Sequence, residues 1–330
     1  MKEYKRLTYE DRVKIELLTK QGFNPAKISH LIGRHRSTVQ RELCRFPRSY
    51  TAAKAQAEAS AQAGSRNRGR KLEMDKRLLN YVHEKLKLRW SPQQISKQLW
   101  LDFKKDKRMR ASHETIYTYI YLLPRGELKR ELISYLRQGK KGRYRKRNKT
   151  TERRGKLPNI ISIEERPALV AKRSVAGHWE GDLIVGKGHK SALGTIVERK
   201  TRTVIMVPLK GKDALSVRKA FEKELISLPK QMRKSLTYDN GHEMAQHSLF
   251  TSRTKMKVYF AHPNSPWERG TCENTNGLIR QFFPKGTDFN KVSRREIKKV
   301  QKMLNERPRA VLGYRTPKDV FEKEILKVCG

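Results

Sequence analysis

Cysteine is scarce: Cys44, Cys272 and Cys329 are the only three in 330 residues, and they lie far apart. An odd, scattered set excludes a disulfide frame and a zinc finger, and it suits a reducing compartment. Long apolar runs are also missing. Nothing approaches the roughly 20 residues that span a bilayer, and no apolar segment follows Met1–Arg6, so neither a membrane span nor a signal peptide is expected. The third shortage is acid. Only 33 Asp and Glu stand against 76 Lys and Arg, a formal net charge of +43. That excludes an ordinary neutral enzyme of small metabolites and points to a polyanionic partner, nucleic acid first. Charge alone also allows a purely structural nucleic-acid protein.

The length suggests several domains. Residues 1–48 read as a helix-turn-helix unit. Thr8 can cap a helix whose core face is Val13, Leu17 and Leu18. The turn around Gly22 ends it, Pro25 opens a short second helix, and Gly33 turns the chain into a third helix from near His35. Val39 and Leu43 share one face of that helix. Arg34, Arg36, Ser37, Thr38, Gln40 and Arg41 are the candidate DNA contacts, because Arg and Gln suit bidentate contacts with base edges. A small helical bundle with a solvated basic face is the alternative. Residues 49–71 read as an alanine-rich helix and a basic linker. Residues 72–136 read as a second helical, helix-turn-helix-like domain with Ser91 as a cap and Pro92 in the first turn. Residues 137–174 read as a linker whose first part, 137–156, holds eleven Lys or Arg and one acid, Glu152. It is too polar to fold alone and is suited to tracking phosphates.

From 175 to 330 the pattern turns to strands alternating with helices after an antiparallel start. That predicts an α/β domain with a mixed five-stranded sheet and a helical tail. Strands are expected at 178–186, 192–199 and 203–209, then one ending at Asp239 and one over Val258–Ala261. Asp182 stands in the middle of the first, where a lone carboxylate among apolar neighbours needs a partner or a cation. Asp239 ends a later strand and Glu273 lies on a helix, with 33 residues between them. Three carboxylates meeting at one sheet edge would make an oxygen site for hard divalent cations. Two such ions could activate a water or a 3′-hydroxyl and stabilise a leaving oxygen, so no serine or cysteine nucleophile is required. Taken singly the acids have plainer readings. Asp239-Asn240-Gly241 is turn chemistry, a helical Glu is usually a solvated face, and Glu180 shares the face of Asp182 and rivals it. Glu243 and Glu268 are further rivals for the third ligand.

The same residues resemble a family. Trp179-Glu180-Gly181-Asp182, Tyr238-Asp239-Asn240-Gly241 and Ser265-Pro266 with Glu273-Asn274 resemble the three acid motifs of the DDE transposases and retroviral-type integrases. Arg269, Glu273 and Arg280 resemble the bacterial insertion-sequence signature of Arg, Glu and a basic residue, usually Lys. His178–Asp182, Leu304–Arg309 and Gly313–Pro317 look closest to the insertion sequence thirty group. The resemblance covers nearly the whole chain.

It implies a ribonuclease-H-like catalytic domain with Asp182, Asp239 and Glu273 as catalytic and metal-holding residues. The cofactor would be two Mg²⁺ ions, with Mn²⁺ as a substitute. Arg269 and Arg280 would touch DNA, and His178, Asn240, His242 and Asn274 are the candidates to support the acids, with His178 and His242 equally readable as ordinary structural histidines. The implied activity is cleavage at the inverted-repeat ends of a mobile element and joining of the 3′ ends to target double-stranded DNA. It would be carried out by a homodimer or larger synaptic assembly in the bacterial cytoplasm, at the nucleoid. Two rival readings are a DNA-binding repressor with a decayed catalytic domain and a metal-dependent nuclease without strand transfer.

Overall fold

The computed structural model describes residues 7–46, 49–66, 71–137, 158–263 and 265–329. The basic segment 138–156, and with it Glu152 and most of the expected phosphate-tracking linker, lies outside the described residues. The chain forms two compact units, up to Met74 and from Asp75 onward. Among the described residues no helix is long and apolar enough to cross a membrane.

The first unit contains α1 (Tyr9–Lys20), α2 (Pro25–Leu31), α3 (Arg36–Cys44), α4 (Ala52–Arg66) and the short α5 (Lys71–Met74). Local chemistry sets the starts. Thr8 and Asp11 form a reciprocal capping box on α1, Asn24 caps α2 with Pro25 at its first position, and His35 caps α3. Ile15, Ile28 and Val39 form the core, one residue from each of the first three helices. The buried face of α1 differs from the expected one. Leu17 is 56% exposed, while Ile15 and Arg12 are buried. Arg12 is held inside by Glu42 of α3 at 2.7 Å and by the Leu7 carbonyl and Gln56. A charged residue on the core face breaks the apolar periodicity and shifts the apparent stripe.

The second unit opens with four helices: α6 (Lys76–Lys87), α7 (Pro92–Asp102), α8 (His113–Leu122) and α9 (Glu127–Tyr135). Leu78, Val82, Leu86, Ile95, Leu99, Ile116, Ile120 and Leu132 are buried on them. Ser91 and Gln94 form a capping box on α7 with Pro92 in its first turn, as expected. The sheet follows, with six strands where five were expected. They are β1 (Ile161–Ser162), β2 (His178–Val185), β3 (Ala192–Glu198), β4 (Val204–Pro208), β5 (Ser235–Tyr238) and β6 (Lys257–Phe260), in the order β1-β6-β5-β2-β3-β4. The extra strand β1 pairs parallel with β6 at the edge, inside the stretch read as linker. Two residues are too few to carry an alternation. The helix α10 (Ala168–Ala171) lies in the same stretch.

β2, β3 and β4 form an antiparallel meander, while β2, β5 and β6 run parallel. Helices α11 (Ala214–Ile226) and α12 (His247–Thr254) cover one face, where Val217, Phe221, Leu225 and Phe250 meet Trp179, Ile196, Leu236 and Tyr238. Helices α13 (Gly270–Ile279) and α14 (Arg294–Asn305) cover the other, where Cys272, Ile279, Ile297 and Leu304 meet Ile184, Leu193, Val197 and Met206. The tail helix α15 (Pro317–Cys329) adds Phe321 to the first layer. Strand parity therefore assigns faces. Trp179 and Gly181 look toward α11, and Glu180, Asp182 and Ile184 look toward α13.

Two strand glycines let aromatic rings lie on the α11 face. A Cβ on Gly181 would stand 2.7 Å from Tyr238, and one on Gly194 would stand 2.4 Å from Phe221. Because Phe221 is fully buried, it has no free direction of retreat. Gly194→Ala is expected to destabilise the protein by about 1–3 kcal/mol through overpacking, read as a lowered midpoint in thermal or urea unfolding. An unchanged midpoint would show that α11 shifts at no cost.

Candidate active site

Asp182 and Asp239 are brought side by side by register. β2 and β5 are parallel with Glu180 opposite Thr237. Two residues further on stand Asp182, inside β2, and Asp239, the residue that follows the end of β5. Adjacent strands are about 4.8 Å apart, so the two carboxylates would repel one another without a cation between them. Arg269 supplies it. Its guanidinium lies 3.5 Å from Asp182 and 3.2 Å from Asp239, and it also donates to the Gly181 carbonyl. Burial works against the charge of Arg269, but Asp239 and Asp182 together hold its pKa above the usual arginine range.

Asp182 has two further donors. Its Oδ1 accepts the Leu183 amide at 2.9 Å and its Oδ2 accepts the Asn276 side-chain amide at 2.8 Å. Burial nevertheless raises its pKa, against Arg269, and Asp239 adds to the rise. Asn276 was missed from the sequence. Its signal was its place three residues after Glu273 on the same helix.

Glu273 comes from α13. The start of that helix is tied to the sheet by Glu180, whose Oε2 accepts the Cys272 amide at 2.8 Å. Glu180 is completely buried and lies 3.1 Å from Arg199. This anchoring role separates it from Asp182, although both face α13. Glu273 itself is exposed, and it lines a cleft of about 500 Å³ with Asp182, Asn274, Asn276 and Arg280. Arg269 and Arg280 are the residues that flank α13 rather than parts of it. Arg280 donates to the Val185 carbonyl at 2.8 Å and so stays at the cleft wall.

The structure thus joins Asp182 to Asp239 through Arg269, and Asp182 to Glu273 through the cleft. It does not gather all three carboxylates. Among the described residues no group of three His, Cys, Asp or Glu is close enough to hold a metal ion. The donor chemistry still suits a hard cation. Among the described residues, Asp239 Oδ1, Asn240 Oδ1 and Asn276 Oδ1 are buried oxygen acceptors without a hydrogen-bond partner, and oxygen-rich sets favour Mg²⁺-like ions.

The other candidates fall in different places. His178 lies four residues before Asp182 and shares a 2.8 Å hydrogen bond with Ser235 at the start of β5. Asn274 accepts from Arg137 at 2.5 Å. His242 sits in a single helical turn after Gly241, and the rival Glu268 is engaged by His262. In the first unit Arg36, Gln40 and Arg41 are exposed on α3, and Ser37 and Thr38 are half-buried. Arg34 is paired with Asp11 of α1 at 2.7 Å, which gives it a part in holding the helices together.

Comparison with known proteins places these features. A helix-turn-helix domain model matches residues 3–45, and an integrase core domain model matches residues 172–266. The second match includes Asp182 and Asp239 but ends before α13, so Glu273 rests on the geometry. The transposase for insertion sequence element IS1086 of Cupriavidus metallidurans is 42% identical over 98% of this chain and 96% of its own. The transposase InsI for insertion sequence element IS30A of Escherichia coli is 40% identical over 97% of this chain and 84% of its own. The chain belongs to the IS30 family of insertion-sequence transposases. The transposase for insertion sequence element IS4351 of Bacteroides fragilis, at 37% identity over 97% of each chain, agrees. The family's integrase-type core is therefore the sheet that carries Asp182 and Asp239.

Of the candidate residues, His178 has the clearest pH signature in the transposase. Burial, with Lys234, Arg199 and Arg166 nearby, pushes its imidazole down to about 4 from the usual histidine value of 6.5. A group with a depressed pKa contributes fully above its unfolded value. Its contribution then fades as pH falls from about 6.5 toward 4, because only the unfolded chain takes up the proton there. His178→Gln should flatten that part of the stability–pH curve relative to the wild type in urea titrations. Parallel curves would mean that His178 titrates normally.

Proposed function

We propose that this transposase binds the terminal inverted repeats of an insertion sequence and cuts a 3′ end with water. It then joins that 3′-hydroxyl to target double-stranded DNA. The observation that carries this reading is the pairing of Asp182 and Asp239 through Arg269, with Glu273 lining a cleft together with Asp182. Asp182, Asp239 and Glu273 would hold two Mg²⁺ ions, with Mn²⁺ as a substitute. When bound, such ions lower the pKa of an attacking water or hydroxyl and stabilise the leaving oxygen.

The chain's own residues do the rest. Asn276 orients Asp182, and Glu180 fixes the start of α13 and with it the position of Glu273. Arg269 neutralises the aspartate pair, and Arg280 places a positive charge at the cleft wall. The exposed Arg36, Gln40 and Arg41 of α3 are the base-reading set, with Ser37 and Thr38 beside them. Synapsis of two element ends calls for two copies of the chain, as a dimer or larger assembly.

The test is strand transfer from a labelled element end into a plasmid with Mg²⁺. Asp182→Asn, Asp239→Asn and Glu273→Gln should each retain end binding and lose joined product by about 10³-fold or more, as expected when electrostatic stabilisation of the reacting centre is removed. Metal-independent binding with no product from the wild type would favour the repressor reading. Nicked ends that never become joined would favour the nuclease. Separately, Arg36→Ala or Gln40→Ala should cost about 1–3 kcal/mol of discrimination between element end and random DNA, the usual worth of a bidentate base contact. Competition binding would measure it, and unchanged discrimination by both variants would remove α3 as the reading helix.

A further inference from the structure

Five arginines run beside α13 on the flank that carries Asn274, and among the described residues none of them is paired with a carboxylate. Arg202 donates to Thr271 Oγ1 at 2.8 Å, one helical turn before the Arg137–Asn274 hydrogen bond of 2.5 Å. Arg307 donates to Gln281 at 2.9 Å, and Arg89 lies 6.0 Å from the ring of Phe282 and 4.8 Å from that of Tyr135. Among the described residues the Arg309 side chain reaches only the Leu304 carbonyl, at 3.1 Å, and its Nε has no hydrogen-bond partner.

Arg307 and Arg309 are 2% and 8% exposed. Buried charges are normally paired, because removing them from water costs several kcal/mol each. Here the partners are neutral: the side chains of Gln94 and Gln281 and a backbone carbonyl. Burial and the neighbouring arginines depress both groups, Arg307 to about 9 and Arg309 to about 10. Neutral partners of this kind leave both buried charges uncompensated within the fold. An anion lying along the row would satisfy them.

The contacts at Thr271, Asn274 and Gln281 fall on one stripe of α13 and its continuation. Ten residues of helix cover about 15 Å, about the axial rise of four nucleotides of one duplex strand. Asn274 belongs to the wall of the acid cleft as well, so a strand on the row would run into that cleft. We propose that this arginine row is a binding track for the phosphodiester backbone of the DNA strand whose end enters the cleft. Arg137, which is exposed, touches phosphate together with the half-buried Arg89 and Arg202. Arg307 and Arg309 hold positive charge fixed beneath them. The track deepens the proposed reaction and rests on it for the identity of the strand.

The full-length protein tests this by the salt dependence of its affinity for a short duplex of arbitrary sequence, without metal. Each phosphate contact adds about 0.9 to the slope of log affinity against log salt. Arg137→Gln should make the slope shallower by about 0.9, and Arg137→Gln with Arg202→Gln by about 1.8, while Arg137→Lys keeps the wild-type value. Arg137→Gln alone keeps the test decisive if the double variant does not fold. A wild-type slope in a folded Arg137→Gln protein would overturn the track. The proposed chemistry fails separately. A shallower slope beside a wild type that joins no DNA would leave the track standing without the reaction. An unchanged slope beside efficient joining would remove the track and leave the reaction.

Discussion

Two aspartates, one inside β2 and one just past the end of the neighbouring parallel strand β5, constrain everything around them. Asp182 and Asp239 cannot both carry charge that close together unless a cation stands between them. In the free protein Arg269 is that cation. The arrangement depends on α13 starting where it does, because Arg269 immediately precedes that helix. The start is in turn held by Glu180, which reaches from the sheet to the Cys272 amide. One buried carboxylate thus positions the arginine that allows two others to remain side by side. The same contact brings Glu273 to the cleft. A metal ion taking up oxygen ligands between the aspartates would compete with Arg269 for the same charge, so metal binding and the position of Arg269 are linked.

Much of this was legible in the residues. The apolar residues of 178–186 and the acid in their middle predicted both the strand and the need for a partner or a cation. Thr8, Pro25, Ser91 and Pro92 marked helix starts that the structure reproduces. What escaped had physical causes. β1 is too short to show a period. The core face of α1 was misplaced because Arg12 enters the interior with Glu42, and a pattern built on apolar residues cannot see a buried ion pair. The two roles of Glu180 and Asp182 were inseparable by parity, since both face α13. Only burial distinguishes the acid that holds a backbone amide from the one that opens to a cleft. Asn276 was overlooked because an amide on a helix has no periodic signature. Its meaning comes from Asp182, 94 positions away in the chain.

The distribution of charge follows the same logic on a larger scale. A chain with a net charge of +43 repels itself, and the usual remedy is to spread cations over solvated surface. This protein instead sets several guanidiniums inside or half inside the fold beside α13, with neutral partners. Spread over the surface, they would be screened by salt and by water. Held in a low-dielectric setting, their field persists toward whatever lies outside. That choice weakens the free protein and strengthens its grip on a polyanion.

The cleft has the same character. Asp182 is buried enough that its pKa rises despite Arg269, and among the described residues a side-chain oxygen each of Asp239, Asn240 and Asn276 lacks a donor. Each of these features destabilises the unliganded state, because a buried acceptor without a donor forfeits its water without replacement. A fold optimised for stability alone would put an amide at Asp182 and a donor at each open oxygen. The hydrophobic layers on both faces of the sheet are what tolerate the loss. Val217, Phe221 and Leu225 on one side, and Ile297 and Leu304 on the other, are almost wholly buried. They fix the strands from which the acids project, so the site keeps its shape while its charges stay unsatisfied. Binding energy that the fold leaves unused at the cleft and along the arginine row is then available only to ligands that bring cations to the acids and phosphates to the arginines.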